Sequence, residues 1–119
     1  MTNIYGKGDK GKATRLHALI VRSYGKCMKC SNEHALQCAH IISRKYANTR
    51  TDLDNAFCLC ASCHMYFTDN PVEFGTWTLD QIGEENYQHL LDKRRVNSKV
   101  DWAAESKRLD TVAKERDLI

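Results

Sequence analysis

Two rhythms of apolar and polar residues divide this chain. Between Ala13 and Tyr24, Leu16, Leu19, Ile20 and Tyr24 recur at helical spacing. Gly25 stands where a glycine ends a helix. From Leu36 to Ile42 the period falls to two, with Cys38, His40 and Ile42 on one side and Gln37, Ala39 and Ile41 on the other. That pattern predicts a strand. Ser43 to Asn55 is polar and without rhythm, and we read it as a long loop. Ala56 to Leu59 predicts a second short strand, and Cys60 to Cys63 opens a short helix running through Phe67. Asp69, Asn70 and Pro71 should end it. Val72 to Gly83 reads as a short helical segment. Glu84 to Val96 predicts a helix with Tyr87, Leu90, Leu91 and Arg94 along one side. Asn97 and Ser98 interrupt it. Asp101 to Leu118 predicts a last helix, with Trp102, Leu109, Val112 and Ala113 as its apolar stripe. Its many charges fit a solvated face with i,i+4 pairs. Gly6, Gly8 and Gly11 lie among lysines in Met1 to Lys12, which reads as a flexible arm.

Length and composition narrow the class. A chain of 119 residues suits one domain, 1–119. Hydrophobic residues at 42% with 28% charged are ordinary for a globular domain with a modest core. No apolar run could span a bilayer, and the start carries no secretory pattern. We therefore expect a cytoplasmic protein with no membrane partner. In a reducing compartment, six cysteines point to metal rather than to a disulfide framework. The net charge of +3 is unevenly spread, because residues 1–26 set Lys7, Lys10, Lys12, Arg15, Arg22 and Lys26 against Asp9 alone. A basic arm suits a polyanionic partner; a solvated tail explains the charge equally well.

The cysteines carry the first chemistry. Cys27/Cys30 and Cys60/Cys63 are two Cys-x-x-Cys pairs. Each sets two thiolates across a tight turn, and two such knuckles complete a tetrahedral zinc site. A redox reading would want a thioredoxin-like βαβ pattern, which is missing. Cys38 and Cys58 remain as small core residues. His40 ends the first strand beside the polar loop. His64 follows Cys63 at the start of a helix that zinc would pin, where it can be a base, a second-metal ligand or a substitute on the zinc. Arg44, Lys45 and Arg50 lie in the loop and suit phosphates. Trp77, Trp102, Phe67, Phe74 and Tyr87 read as core.

His40, Asn55 and His64, interleaved with the two cysteine pairs, resemble the HNH endonucleases. The strings Ala39-His40-Ile41-Ile42-Ser43-Arg44, Asp54-Asn55 and Cys60-Ala61-Ser62-Cys63-His64 carry that resemblance, with Ile82-Gly83-Glu84 adding a likeness to phage proteins of the NinG-like recombination type. It implies an α+β fold: a small zinc-braced ββα-metal core over 27–70, a basic arm plus helix over 1–26, and a helical part over 71–119. It further implies a bacterial or phage-encoded, metal-dependent DNA endonuclease, nicking one strand, as a monomer or homodimer. His40 would be the general base, Asn55 the brace of the loop, and His64 a ligand of a catalytic ion such as Mg²⁺, Mn²⁺ or Ni²⁺. Cys27, Cys30, Cys60 and Cys63 would hold structural Zn²⁺. The chain departs from the pattern at Ala39, where many relatives carry Asp, Glu or His as a second ligand. Asp54 or Asp69 could supply that carboxylate instead. The rival reading is a non-catalytic zinc-ribbon module that binds DNA.

Overall fold

An antiparallel hairpin lies at the centre. β1 (Leu36–His40) pairs with β2 (Ala56–Cys60) in the register Leu36↔Cys60, Cys38↔Cys58 and His40↔Ala56. α3 (Ala61–Asp69) leaves β2 without a linker, because Cys60 is still extended as its N-cap. The unit is therefore strand, strand, helix. The computed structural model describes residues 5–119, so Met1 to Ile4 of the expected arm lie outside the described residues.

Period-two alternation gives the hairpin two faces, and each is covered. Ala39, Phe57 and Leu59 turn to one side and pack with Phe67 of α3 and with Phe74 and Trp77 of α4 (Pro71–Ile82). The Phe67 and Trp77 rings stack with centroids 5.1 Å apart, and Phe57 meets Trp77 at 4.6 Å. Such pairs add about 0.5–1.5 kcal/mol each beyond their burial. Cys38 and Cys58 turn to the other side, against α1 (Gly8–Arg22): Cys58 Sγ lies 3.9 Å from the Arg22 carbonyl oxygen. The opposite flank of α1 packs on α6 (Trp102–Glu115), where Ala13, Leu16 and Ile20 meet Leu109 and Ala113. Asp101 caps α6, its Oδ1 accepting from the Ala104 N–H at 3.0 Å.

This double contact corrects the reading of α1. A one-sided stripe ending in Tyr24 was expected, yet Tyr24 is 55% exposed, while Ala13, Thr14, His17 and Val21 are buried. A helix clasped between a sheet and a second helix needs a wider buried surface than one stripe. The helix also starts at Gly8 rather than Ala13, so Gly8 to Lys12 is helical and not a flexible arm. Docking on α6 outweighs the poor helix propensity of glycine, helped by Lys10 Nζ over the Trp102 ring at 5.7 Å. Gly11 has a steric reason to be glycine. A Cβ there would stand 2.1 Å from the Gly6 carbonyl oxygen.

The segment read as a long loop, Ser43 to Asn55, contains α2 (Ala47–Arg50) and a 3₁₀ turn over Leu53–Asn55. Pro71 both stops α3 and opens α4, since proline at the first helical position lacks only an N–H that would have no partner there. α5 (Glu84–Arg94) reaches back to the hairpin loop through Lys93 Nζ, 2.6 Å from Asp52 Oδ2. Among the described residues no helix is long and apolar enough to cross a membrane.

Candidate functional site

The four paired cysteines converge. One sulfur from each of Cys27, Cys30, Cys60 and Cys63 lies within 4.8 Å of the others. Cys30 Sγ and Cys60 Sγ are 3.7 Å apart. Four sulfurs about 2.3 Å from a tetrahedral zinc are about 3.8 Å apart, so the spacing suits that ion. The first knuckle is a tight turn in which the Ser31 N–H donates to the Cys27 carbonyl at 2.8 Å, with Ser31 at φ 66°. The second spans the β2–α3 junction. Burial raises the Cys27 thiol, but backbone N–H groups of Cys60, Cys30 and Lys29 outweigh it and bring it down to about 6. At Cys60 the N–H of Cys63 leads the lowering. Burial, followed by thiol contacts from its three neighbours, pushes Cys63 up. Thiolates are the form that binds a cation, so a metal here would displace the thiol protons.

Asn55 organises the hairpin loop. It is fully buried, and its side chain closes the segment like a clasp. Oδ1 accepts from the Ile42 N–H at 2.7 Å, while Nδ2 donates to the Ile42 and Thr49 carbonyls at 3.0 Å each. The Ile41 N–H donates to the Asn55 carbonyl at 3.0 Å. We expect Asn55→Ala to lower stability by about 3 kcal/mol or more, since each buried group left without a partner costs about 1–3 kcal/mol. Denaturant unfolding measures this, and an unchanged midpoint would refute the assignment.

What the clasp holds is the backbone around His40. The Arg50 carbonyl lies 2.9 Å from His40 Nε2. A carbonyl can only accept, so Nε2 carries the proton and Nδ1 is bare. Burial lowers the His40 pKa below its usual 6.5, and the charges of Arg44, Arg50 and His64 lower it further, against the pull of the Arg50 carbonyl. The ring is neutral at pH 7 and able to accept a proton. His64, on α3, also has its pKa lowered by burial. Its Nδ1 meets Gln37 Oε1 at 2.7 Å, which leaves Nε2 to meet a ligand. His40 and His64 line one open cleft of about 540 Å³, together with Gln37, Arg22 and Arg44.

The other expected residues are distributed as follows. Arg44 lines the cleft with its side chain exposed. Lys45 is exposed, with Nζ over the Tyr46 ring at 5.2 Å. Arg50 turns inward: Nε donates to Thr14 Oγ1 at 2.8 Å and a terminal nitrogen to the Arg44 carbonyl at 3.1 Å. Its guanidinium therefore ties the loop to α1. Ala39 is 1% exposed in the aromatic core and brings no donor atom for a metal. Asp54 lines other surface hollows and not this cleft, and Asp69 ends α3. His64 Nε2 is thus the ligand atom that this helix turns to the cleft. Gln37 holds the far side of the ring at Nδ1, so an ion at Nε2 would take its other ligands from waters and a phosphate.

Two cleft residues escaped the sequence reading. Gln37 alternates away from His40 along β1, but β1 pairs on one edge only, and the cleft wraps the free edge so that residues from both faces line it. Arg22 counted only as charge in the basic arm. Being the last residue of α1, it could have been placed over the following strand.

Residues 21–71 match a family model described as HNH endonuclease. No curated protein and no solved structure matches the chain. The match spans both cysteine pairs, His40, Asn55 and His64, and it ends where the ββα unit ends. Over residues 21–71, then, the chain is similar to the HNH endonuclease family.

Proposed function

We propose that this chain is a divalent-metal-dependent endonuclease that hydrolyses DNA phosphodiesters one strand at a time, with His40 as general base. The observation that carries the reading is the His40 ring, fixed through Nε2 by the Arg50 carbonyl and lining a cleft that His64 and Arg44 also line. His40 Nδ1 takes a proton from the water whose oxygen forms the new bond to phosphorus; the sugar oxygen leaves and is protonated by solvent. Asn55 keeps the Arg50 carbonyl, and so the ring, in position. Arg44 and Arg22 neutralise the phosphate and set its register. Mg²⁺, Mn²⁺ or Ni²⁺ at His64 would supply charge stabilisation at the phosphate and the leaving oxygen. Zn²⁺ on Cys27, Cys30, Cys60 and Cys63 would fasten the helix that carries His64. Lys45 and the N-terminal lysines add non-specific affinity for DNA.

The test is a supercoiled plasmid incubated with a series of divalent metals. Open circles should appear before linear DNA. No conversion with any metal, alongside retained DNA binding, would favour the second reading, a zinc-ribbon DNA-binding module. The buried Ala39 and the sparse donors around His64 speak for that alternative. Arg44→Ala should weaken DNA binding and reduce the salt slope by about 1, as loss of one phosphate contact does. An unchanged slope would remove Arg44 from the interface.

A further inference from the structure

A third histidine lies behind the cleft. His17 belongs to α1 and is fully buried, 23 positions from His40 along the chain. Its Nε2 is 2.9 Å from the Asp52 carbonyl oxygen, and its Nδ1 is 3.8 Å from Cys38 Sγ. The His17 and His40 rings have centroids 5.2 Å apart. One ligand atom from each of His17, Cys38 and His40 falls within 4.8 Å of the other two. Both histidines turn Nε2–H to a backbone carbonyl, of Asp52 for one and of Arg50 for the other. That is the second contact a metal-ligating histidine makes, and it leaves Nδ1 of each ring for an ion. Around a tetrahedral zinc, nitrogen and sulfur ligands are separated by about 3.6 Å, close to the His17–Cys38 distance. Cys38 and His40 line the cleft, so an ion could enter from solvent and keep a fourth position open there. Two imidazoles and a thiolate select a zinc-class ion over magnesium.

We propose that His17, Cys38 and His40 form a second site for a zinc-class divalent ion, and that filling it switches the nuclease off. The ion would take His40 Nδ1, the nitrogen that must accept the proton from water; Cys38 would release its thiol proton to solvent as the sulfur binds. The switching clause rests on His40 as base, while the site itself does not. The pocket thus separates two classes of metal: a hard ion that supports the reaction through His64, and a soft ion that blocks it at His40.

Cobalt tests the site directly. Protein carrying one zinc per chain should take up one further Co²⁺ with a thiolate-to-cobalt charge-transfer band of single-thiolate intensity. That band should vanish in Cys38→Ala and Cys38→Ser and persist in His64→Ala. No band beyond the four-cysteine site, or a band unchanged in both Cys38 variants, overturns the proposal. In plasmid nicking supported by Mg²⁺ or Mn²⁺, added Zn²⁺ should cut the wild-type rate at least tenfold. The Cys38 variants, nicking normally without Zn²⁺, should need at least tenfold more of it for the same loss. Equal inhibition of wild type and variants overturns the switch. A wild type that cuts no plasmid with any metal removes the nuclease reading, while the cobalt titration still decides the site.

Discussion

Removing zinc from Cys27, Cys30, Cys60 and Cys63 should unfold the ββα unit. Metal binding at structural sites of this type amounts to about 10–16 kcal/mol, as much as or more than the 5–15 kcal/mol net stability of a whole domain. The position of the four sulfurs makes the effect global. They join the turn after α1 to the β2–α3 junction, and Cys27 and Cys60 belong to the same apolar cluster as Phe57 and Phe67. A strong chelator should therefore abolish the helical signal of α3 and α4 and release one zinc per chain by elemental analysis. Cys60→Ser should give the same result without chelator. Acid should promote the loss, since the ligands must be deprotonated to bind. The sign agrees in the metal-free cluster. Cys27 has its pKa lowered from 9.0 to about 6 by backbone donors, so its contribution is complete above 9 and disappears as the pH falls through 6. A folded, zinc-free protein would end this assignment.

His40→Ala should lower the rate of DNA cleavage by about 10²–10⁴-fold, the usual worth of a positioned general base. The zinc on the four cysteines and the DNA affinity should hold, because His40 belongs neither to the cysteine cluster nor to the phosphate contacts. His64→Ala should fail differently: the metal concentration giving half-maximal rate should rise, and excess metal should restore part of the activity. The pH profile adds a second check. Burial and the charges of Arg44, Arg50 and His64 hold His40 below 6.5, so its acid limb in kcat/KM should lie below pH 6.5. An acid limb at or above 6.5, or a His40→Ala variant that cuts at the wild-type rate, would assign the base to another residue.

Local rules were sufficient where the pattern was local. The two Cys-x-x-Cys spacings marked the four ligands without knowledge of the fold, because each knuckle is closed by its own backbone turn. Period-two alternation in β1 separated Cys38 and His40 from Ala39, and those residues do face opposite layers. The apolar stripe of α6 was likewise readable within one helix. Pro71 marked a boundary, and the helical segment read over Val72 to Gly83 is α4, which starts on that proline.

The sequence by itself determined the chemistry: four thiolates at zinc spacing, a histidine closing a strand, an asparagine ahead of the second knuckle and a histidine after it. Only the tertiary structure decided how those groups are used. Asn55 turns a featureless polar stretch into an ordered clasp because its amide meets backbone groups up to 13 positions away. Docking on α6 extends α1 back to Gly8, and the burial gained there outweighs the local cost of glycine. Arg50 is drawn inward by Thr14, which leaves Arg44 as the loop arginine on the cleft. Gln37 meets His64 on the face of β1 that α3 covers, and His17 of α1 meets Cys38 and His40 on the other. Each of these is a contact between residues distant along the chain. Periodicity reports which side of an element is apolar; the partner that side meets is set by how the layers pack.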